Sequence, residues 1–440
     1  MPKTLVALAA TLFILLAGST GPAQAGSLRP QVQPAVPAAQ SGGSKLSPDV
    51  LAALKSMPAG DMLTVIVTLT EQTPLSQLAA TPPGANRAAR LKNVIEQLQT
   101  RANISQRALK VLLNQRRAEG RVGQVEYLWI INGLAVTATP DIILELAARP
   151  EVASISANAT LQAPPPPPQD VVTLAVPEAN LQLVNAPAMW NLGYTGQGIV
   201  IGYLDTGVDI AYHQDLASSW RGGSNSWFDP YHQNATPNDL HGHGTWTMGV
   251  TVGGQTNGRA YGLAPDAQWI AAKIFNNSGF ATVLAIHQAL QWVLDPDGDP
   301  NTPDAPHVLN NSWTWTAGCD YEFRTALQNI RAAGILPIFA AGNNPSATFS
   351  PANYPEAFAV GAVDNSDIIY SSSSRGPSAC DGTTYPEIVA PGVNIYTTDL
   401  FGMHYNTTGT SLAAPHVAGA LALLLSASPQ LTVDEQEAAL

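Results

Sequence analysis

Basic residues are scarce in this sequence, and so are charged residues of both signs. Its 440 residues include 20 Lys and Arg against 32 Asp and Glu, a net charge of −12, and these four types make up only 12% of the chain. This deficit argues against a nucleic-acid partner, because neutralising phosphates requires clustered Lys and Arg. A hydrophobic content of 45% excludes a wholly disordered chain. Together with 36 Gly and 35 Pro, the low charge indicates a secreted, loop-rich globular protein.

The common sequence signals of a zinc enzyme are also missing. The chain contains neither HExxH nor CxxC, and His241 and His243 are two residues apart rather than the four that a helical zinc pair requires. The only two cysteines are Cys319 and Cys380. The sequence is equally compatible with a disulfide between them and with two buried thiols.

The first 25 residues have the pattern of a secretory signal peptide. Lys3 precedes an apolar run from Leu5 to Leu16, and small residues follow up to Ala25. The run is too short to cross a bilayer, and no second span follows it. We therefore predict cleavage after Ala25, a mature protein without a membrane span, and a location outside the cell, in the periplasm or at the cell surface.

Two folding units are predicted after this segment. Residues 26–47 have the composition of a flexible leader, and residues 48–162 predict a small α/β sandwich of order βαββαβ. Residues 163–176 include five consecutive prolines, Pro164–Pro168, which adopt an extended helix and separate domains. In residues 177–440 apolar strands alternate with helices, which predicts a mainly parallel sheet covered by helices on both faces.

Three short motifs in the second unit supply Asp, His and Ser in that chain order. They are Asp205-Thr206-Gly207 after an apolar run, Gly242-His243-Gly244-Thr245, and Gly409-Thr410-Ser411 at the start of an apolar helix. Taken singly, each has a structural interpretation: a capping Asp, a structural or metal-binding His, and an N-cap Ser. Together they supply a nucleophilic alcohol, its general base and a carboxylate that orients the base.

These motifs resemble those of the subtilisin-like serine proteases, over roughly residues 180–435. The segment around His241 and His243, together with Asn310-Asn-Ser-Trp313, is most similar to the bacillopeptidase F-like branch. The resemblance implies a catalytic triad of Asp205, His243 and Ser411. It also implies that Asn343 and the Ser411 backbone N–H form the oxyanion hole. No cofactor would be required for the chemistry.

The same resemblance implies polypeptide substrates and an endopeptidase activity. The substrate would lie between Ser312-Trp313-Thr314 on one side and Ala340-Ala341-Gly342 on the other. Thr314 occupies a position where members of the family usually have Gly, so its side chain is expected to narrow the cleft. We expect large apolar or aromatic residues before the scissile bond.

By the same resemblance, residues 48–162 are an inhibitory propeptide, and the enzyme is a self-processed zymogen. The propeptide tail, around residues 156–163, would cross the cleft like a substrate, with self-cleavage between Asn158 and Val172. Residues 26–162 carry 13 Lys and Arg against 9 Asp and Glu, whereas residues 163–440 carry 6 against 23. This opposite charge is expected to help the propeptide and the enzyme associate.

Two other functions fit the sequence less well. A catalytically silent relative acting as a secreted binding protein would lack one or more catalytic residues, and here all four positions are filled. An esterase of the α/β-hydrolase type would need a G-x-S-x-G motif and the order Ser, acid, His.

An acidic loop offers ligands for a structural calcium ion. It contains Asp295, Asp297 and Asp299, with Asn301 and Asp304 nearby, and carboxylate and amide oxygens are the ligands that calcium prefers. The loop lacks full EF-hand spacing, and a solvated acidic loop is the alternative. The chain stops at Leu440 within a predicted helix, where relatives usually continue, so both a truncated C-terminus and further extensions stay open.

Overall fold

The computed structural model describes residues 44–79, 86–165, 179–256 and 259–440. The chain divides into two compact units, the first including residues 98–158 and the second residues 81–97 and 159–438. The predicted signal peptide, most of the leader and most of the proline-rich linker lie outside the described residues.

The first unit has the predicted βαββαβ order, with additional short helices. Its elements are α1 (Pro48–Ser56), β1 (Leu63–Leu69), α2 (Leu75–Leu78), α3 (Arg87–Ser105), α4 (Arg107–Ala118), β2 (Val122–Leu128), β3 (Gly133–Ala138), α5 (Pro140–Ala147) and β4 (Val152–Ala157). The first part of α3, up to residue 97, is assigned to the second unit. The strands form an antiparallel sheet in the order β2-β3-β1-β4. Alternate residues of β1, Val65 and Val67, face a core completed by helix residues such as Leu109 and Ile142.

The second unit is built on one seven-stranded sheet. Its strands are β6 (Val200–Asp205), β7 (Trp227–Phe228), β10 (Gln268–Lys273), β12 (Val308–Asn311), β14 (Leu336–Ala340), β16 (Phe358–Val363) and β19 (Ile388–Pro391). Their order is β19-β16-β14-β12-β6-β10-β7, and every neighbouring pair is parallel. The central strands β12, β14 and β16 are buried along their whole length, as expected for a parallel sheet covered on both faces.

Helices connect these strands and cover the sheet. They are α6 (Ala179–Leu183), α7 (Ala186–Asn191), α8 (Gln214–Ser219), α9 (His243–Val252), α10 (Val283–Leu294), α11 (Arg324–Ala332), α12 (Thr410–Ala427) and α13 (Val433–Ala439). The paired short strands outside the main sheet are β5 (Thr160–Gln162), β8 (Gln255–Thr256), β9 (Arg259–Ala260), β11 (Phe280–Thr282), β13 (Thr316–Ala317), β15 (Phe349–Ser350), β17 (Gly376–Pro377), β18 (Thr384–Tyr385), β20 (Ile395–Thr398) and β21 (His404–Thr407).

Helix α12 is the central helix of this unit. It packs against β12, β14, β16, β19 and helix α9. Of the helices that the structure describes, it is the one long and apolar enough to cross a bilayer, and 89% of its 18-residue window is buried inside the protein. A core helix surrounded in this way is apolar on every face because every face contacts protein.

The two cysteines form a disulfide. The Sγ atoms of Cys319 and Cys380 are 2.06 Å apart and join segments 61 residues apart in the sequence. The structure thus decides a pairing that the sequence left open.

His416 is fully buried on α12 and is held as a neutral ring. Its Nδ1 lies 2.7 Å from the Leu412 carbonyl oxygen, and its Nε2 lies 2.8 Å from the Asn180 amide nitrogen. Nδ1–H therefore donates to the carbonyl, and Nε2 accepts from the amide. Burial lowers the pKa of His416 to about 4.

This lowered pKa predicts a loss of stability in acid. The unfolded chain binds a proton at this histidine near its ordinary pKa of 6.5, whereas the folded protein does so only near 4. The free energy of unfolding should therefore fall by about 3 kcal/mol between about pH 7 and about pH 4 from this group alone. Denaturant unfolding of the Ser411→Ala protein, which lacks the nucleophile predicted from the sequence, measures the effect. In His416→Gln on the same background the acid-induced loss should be smaller; equal pH dependence of the two proteins would contradict the assignment.

Candidate active site

The predicted site residues lie at the carboxyl edge of the parallel sheet. Asp205 ends β6, Ser312 follows β12, and Asn343 lies three residues after the end of β14. Ser411 lies in the first turn of α12, which packs against β12 and β14. Ligands of parallel sheets bind at this edge.

Asp205 and His243 form a buried hydrogen bond. The His243 Nδ1 and Asp205 Oδ1 atoms are 2.7 Å apart, and both side chains are 3% exposed. The backbone N–H of Thr206 donates to the same carboxylate oxygen. Because a carboxylate only accepts hydrogen bonds, Nδ1 carries the hydrogen and Nε2 is left with a lone pair. Nε2 is buried and has no hydrogen-bond partner among the described residues.

Two glycines allow the Asp205 and His243 segments to come this close. A side chain at Gly207, whose φ is +120°, would place its Cβ 2.0 Å from the Asn238 carbonyl oxygen. A Cβ at Gly244 would lie 2.1 Å from the Gly207 carbonyl oxygen. The Gly244 N–H also donates to the Thr206 hydroxyl at 2.8 Å. Gly207 and Gly244 are therefore needed for the close backbone contacts of the two motifs, because any side chain there would collide with a carbonyl oxygen.

The loop before His243 is organised by Asp239, which was not among the predicted site residues. Its carboxylate accepts from the N–H groups of His241, Gly242 and Thr245 at 2.9 to 3.1 Å and from the Thr245 hydroxyl at 2.8 Å. Burial would raise the pKa of Asp239, but these hydrogen bonds and the charge of Lys273 hold it below its usual value. Asp239 thus stays ionised and positions the start of α9.

Lys273 is a second residue that sequence reasoning missed. It is 1% exposed, lies beside Asp205 in the β10–β6 pairing, and donates to the Thr206 carbonyl. Burial lowers the pKa of Lys273, while the carboxylates of Asp239, Asp229 and Asp205 oppose that shift. The signal was present in the sequence, since this is the lone charged residue in an apolar strand.

Ser411 and Ser312 hold each other through reciprocal hydrogen bonds. The Ser411 hydroxyl donates to the Ser312 carbonyl at 3.1 Å, and the Ser312 hydroxyl donates to the Ser411 carbonyl at 2.9 Å. The Ser411 proton is therefore directed to a backbone carbonyl rather than to His243.

The side chain of Asn343 is oriented by Thr410. Its Oδ1 accepts from the Thr410 N–H at 3.0 Å and from the Thr410 hydroxyl at 3.2 Å. With the carbonyl end engaged, the NH2 end is left to donate. Asn343 is exposed and lines the cleft together with Ser411.

A cleft of about 450 Å³ opens beside Ser411. Of the substrate-binding residues predicted from the sequence, Ser312, Trp313, Thr314, Ala340 and Gly342 line it. Ala341 lies behind the cleft instead: it is fully buried, its N–H donates to the Val360 carbonyl, and its own carbonyl accepts from the Tyr385 hydroxyl.

Residues 159–165 lie in the cleft as an extended segment. Strand β5 pairs antiparallel with β11, and the pairing continues through hydrogen bonds from the Val283 N–H to the Ala159 carbonyl and from the Ala163 N–H to the Gly279 carbonyl. Leu161 to Pro165 line the cleft with Ser411. The β11 edge was not predicted from the sequence, because Phe280–Thr282 lead directly into helix α10. Thr282 caps that helix at Ala285, so the helix begins only at Val283.

Three carboxylates of the acidic loop come together. Asp295, Asp297 and Asp304 each offer an oxygen, and these atoms all lie within 4.8 Å of one another. The predicted candidate Asp299 is not in this group; it accepts from the backbone and side chain of Asn301 in an exposed turn. Asp304 replaces it. Burial, with the nearby charge of Asp297, raises the pKa of Asp304 despite a hydrogen bond from Asn225.

Comparisons with known proteins identify the family of this chain. Residues 196–440 match the sequence model of the subtilase family. Bacillopeptidase F of Bacillus subtilis (strain 168) is 36% identical over 375 residues, which are 78% of this chain and 26% of that protein. An alkaline protease of Alkalihalobacillus alcalophilus is 32% identical over 299 residues, which are 67% of this chain and 70% of that protein. A solved cold-adapted subtilisin-like serine proteinase is 27% identical, with coverage of 56% of this chain and 81% of that one and a TM-score of 0.46.

The parallel sheet, with Asp, His and Ser at its carboxyl edge, defines the class of serine hydrolases. The family match and the alkaline protease then narrow this class. The chain belongs to the subtilase family, the subtilisin-like serine proteases. It spans about a quarter of the length of bacillopeptidase F.

The role of Asp239 is testable by a change of one atom. In Asp239→Asn the amide NH2 cannot accept, so at least one of the two engaged oxygens loses its hydrogen bonds and donors are left buried without partners. We expect a loss of about 1 to 3 kcal/mol in the free energy of unfolding and a lower kcat. Denaturant unfolding and peptide hydrolysis measure the two effects. Asp299→Asn, the same change in an exposed turn, serves as control, and equal behaviour of the two variants would contradict this role.

Proposed function

We propose that this chain is a secreted serine endopeptidase in which Ser411 is the nucleophile, His243 the general base and Asp205 the carboxylate that orients it. The observation that carries the proposal is the 2.7 Å hydrogen bond between Asp205 and His243 Nδ1, which leaves Nε2 buried and without a hydrogen-bond partner among the described residues. This arrangement supplies a buried proton acceptor at the edge of the sheet where Ser411 lines the cleft.

The first step is acylation. Ser411 Oγ turns from the Ser312 carbonyl towards His243 Nε2, transfers its proton there and attacks the carbonyl carbon of the scissile bond. Asp205 stabilises the imidazolium that forms. His243 then protonates the leaving nitrogen, and the C–N bond breaks. In the second half of the reaction His243 takes a proton from water, and the water oxygen attacks the ester carbonyl. His243 returns that proton to Ser411 Oγ as the ester bond breaks.

Asn343 and the Ser411 N–H stabilise the oxyanion in this proposal. Thr410 engages the carbonyl end of the Asn343 side chain, so the donor end is preset before substrate binds. Ser411 lies in the first turn of α12, where backbone N–H groups have no partner within the helix. Donors aimed where negative charge develops lower the barrier without reorganisation.

The segment in the cleft supports a polypeptide substrate and an inhibitory role for residues 48–162. An extended chain at residues 159–163 binds β11 through main-chain hydrogen bonds, and such strand addition accepts many sequences. A substrate peptide would take the same path. Residues 159–165 thus occupy the cleft that a substrate would need, as expected for a zymogen.

A location outside the cytoplasm is supported by the Cys319–Cys380 disulfide, because disulfides persist mainly in oxidising compartments. It agrees with the signal peptide predicted from the first 25 residues. The alternative of a catalytically silent binding protein is disfavoured, because Asp205, His243, Ser411 and Asn343 are all present and the first two are hydrogen-bonded.

Labelling with a serine-directed phosphonate tests the proposal. Mass spectrometry should locate the label on Ser411, and Ser411→Ala should lose both labelling and peptide hydrolysis. Asn343→Ala should lower kcat by about 10²- to 10³-fold with little change in KM, the cost observed for an oxyanion-hole asparagine in a subtilisin.

The control is Asn301→Ala, which removes an exposed asparagine side chain in the acidic loop, outside the residues that line the cleft. This variant should retain activity. A folded, processed protein that hydrolyses peptides without reacting at Ser411 would refute the assignment of the nucleophile. Labelling at Ser411 without any peptide hydrolysis would favour the silent relative.

We also propose that Asp295, Asp297 and Asp304 hold a structural calcium ion, with no part in the chemistry. The residues fit the ion in one respect beyond their charge: Asp304 is 8% exposed, and its Oδ1 has no hydrogen-bond partner among the described residues. Calcium accepts such carboxylate oxygens. We expect calcium to raise the Tm relative to chelator, and Asp304→Asn to weaken this response more than the exposed Asp299→Asn. A Tm indifferent to calcium and chelator would exclude the site.

A further inference from the structure

Within the described residues, the segment seated in the cleft ends in two prolines. Pro164 and Pro165 line the cleft with Ser411, and the run continues to Pro168. In the bonds from Ala163–Pro164 to Pro167–Pro168, the nitrogen on the leaving side belongs to a proline ring. Each of these five consecutive bonds is therefore a tertiary amide, and no N–H is available on it.

The register of the segment follows from its hydrogen bonds. In an antiparallel pair successive residues direct their N–H and C=O groups to opposite sides. Ala159 and Ala163 bond to β11 and its flanks, so an extended residue at position 164 directs its nitrogen away from β11, towards the rest of the cleft. An ordinary residue would offer an N–H there, and Pro164 offers none.

The hydrogen-bond donor to the Ser312 carbonyl is the side chain of Ser411. The carbonyl accepts the hydroxyl of Ser411 at 3.1 Å, while His243 Nε2 has no hydrogen-bond partner within the described part of the chain. The nucleophile is thus hydrogen-bonded away from its base in the structure that contains the proline segment.

Resting on the serine peptidase function proposed above, we propose that Ala163–Pro165 is a cleavage-resistant plug: it occupies the cleft in the direction of a substrate but presents only proline bonds to Ser411. Self-processing then uses an ordinary amide bond outside Ala163–Pro168 and requires the seated segment to shift or leave first. Slow release of this plug regulates activation of the enzyme.

The chemical reason lies in the leaving group. When Ser411 Oγ attacks the carbonyl of residue 164, the bond to the nitrogen of residue 165 must break, and that nitrogen must take a proton from His243. In proline the nitrogen carries the ring Cδ in place of hydrogen, and the ring fixes φ near −65°. The ring carbon crowds the position from which the imidazole must protonate the nitrogen, and so proton transfer is impeded.

The test is the double variant Pro164→Ala/Pro165→Ala in the full-length chain. It restores two N–H groups and two ordinary bonds at the nucleophile. Intact mass and N-terminal sequencing of purified protein over time should show a new cut that leaves residue 164 or 165 at the N-terminus. Processing should be faster by about 10²-fold or more, the usual contribution of general acid catalysis. The wild-type mature N-terminus should lie outside residues 164–168.

Two controls separate the explanations. Pro58→Ala adds an N–H at an exposed proline that does not line the cleft, and should process like the wild type. The double proline variant carrying Ser411→Ala should stay uncut, and its Tm should match that of Ser411→Ala alone.

A wild-type cut by Ser411 within Ala163–Pro168, or an unchanged product and rate in the double variant, would overturn the plug while leaving the peptidase intact. That peptidase is measured separately on an unrelated unfolded protein after the N-terminal region has been removed by an added protease. If no form hydrolyses it or reacts with the phosphonate, the proposed function itself fails.

Discussion

The site depends on one buried interaction, the hydrogen bond between Asp205 and His243. A carboxylate and an imidazole without water need close, well-aligned contact, and the backbone provides it only because Gly207 and Gly244 lack side chains where their segments meet. Asp239 accepts hydrogen bonds from the loop that leads into α9. Lys273 donates to the carbonyl of Thr206, the residue after Asp205. The result is an imidazole with one nitrogen committed and the other free to take a proton.

The rest of the second unit brings groups to this imidazole. A sheet of seven parallel strands places the ends of β6, β12 and β14 at one edge, and the buried helix α12 delivers Ser411 there. Thr410 orients Asn343 from the same helix start. The segment at residues 159–165 uses the cleft as a substrate would, but it meets Ser411 with prolines. In this proposal the hydrogen bonds of residues 159–163 hold the segment in the cleft, and the proline rings that follow make it resistant to cleavage.

Much of the fold and of the candidate site follows from sequence patterns. Continuous apolar strands alternating with helices predicted the parallel sheet, and the motifs around Asp205, His243, Ser411 and Asn343 predicted the candidate site. Errors arose where a residue's role depends on distant neighbours. Asp239 and Lys273 become part of the site only through contacts across the fold, Ala341 turns behind the cleft, and Asp304 rather than Asp299 joins the carboxylate group. Strand β11 was not predicted because its three residues, Phe280–Thr282, are too few to show the alternation of apolar and polar residues that indicates a strand.

The sequence by itself determined the identity and order of the chemical groups, the division into two units and the proline run, because these depend on residue type and local pattern. Only the tertiary structure decided the Cys319–Cys380 pairing, the tautomers of His243 and His416, and the pairing with β11 that puts Pro164 and Pro165 in the cleft with Ser411. Each of these depends on distances between segments far apart in the chain. Hydrogen bonds and disulfides act over only a few ångströms, so they are specified once the backbone has folded and not before.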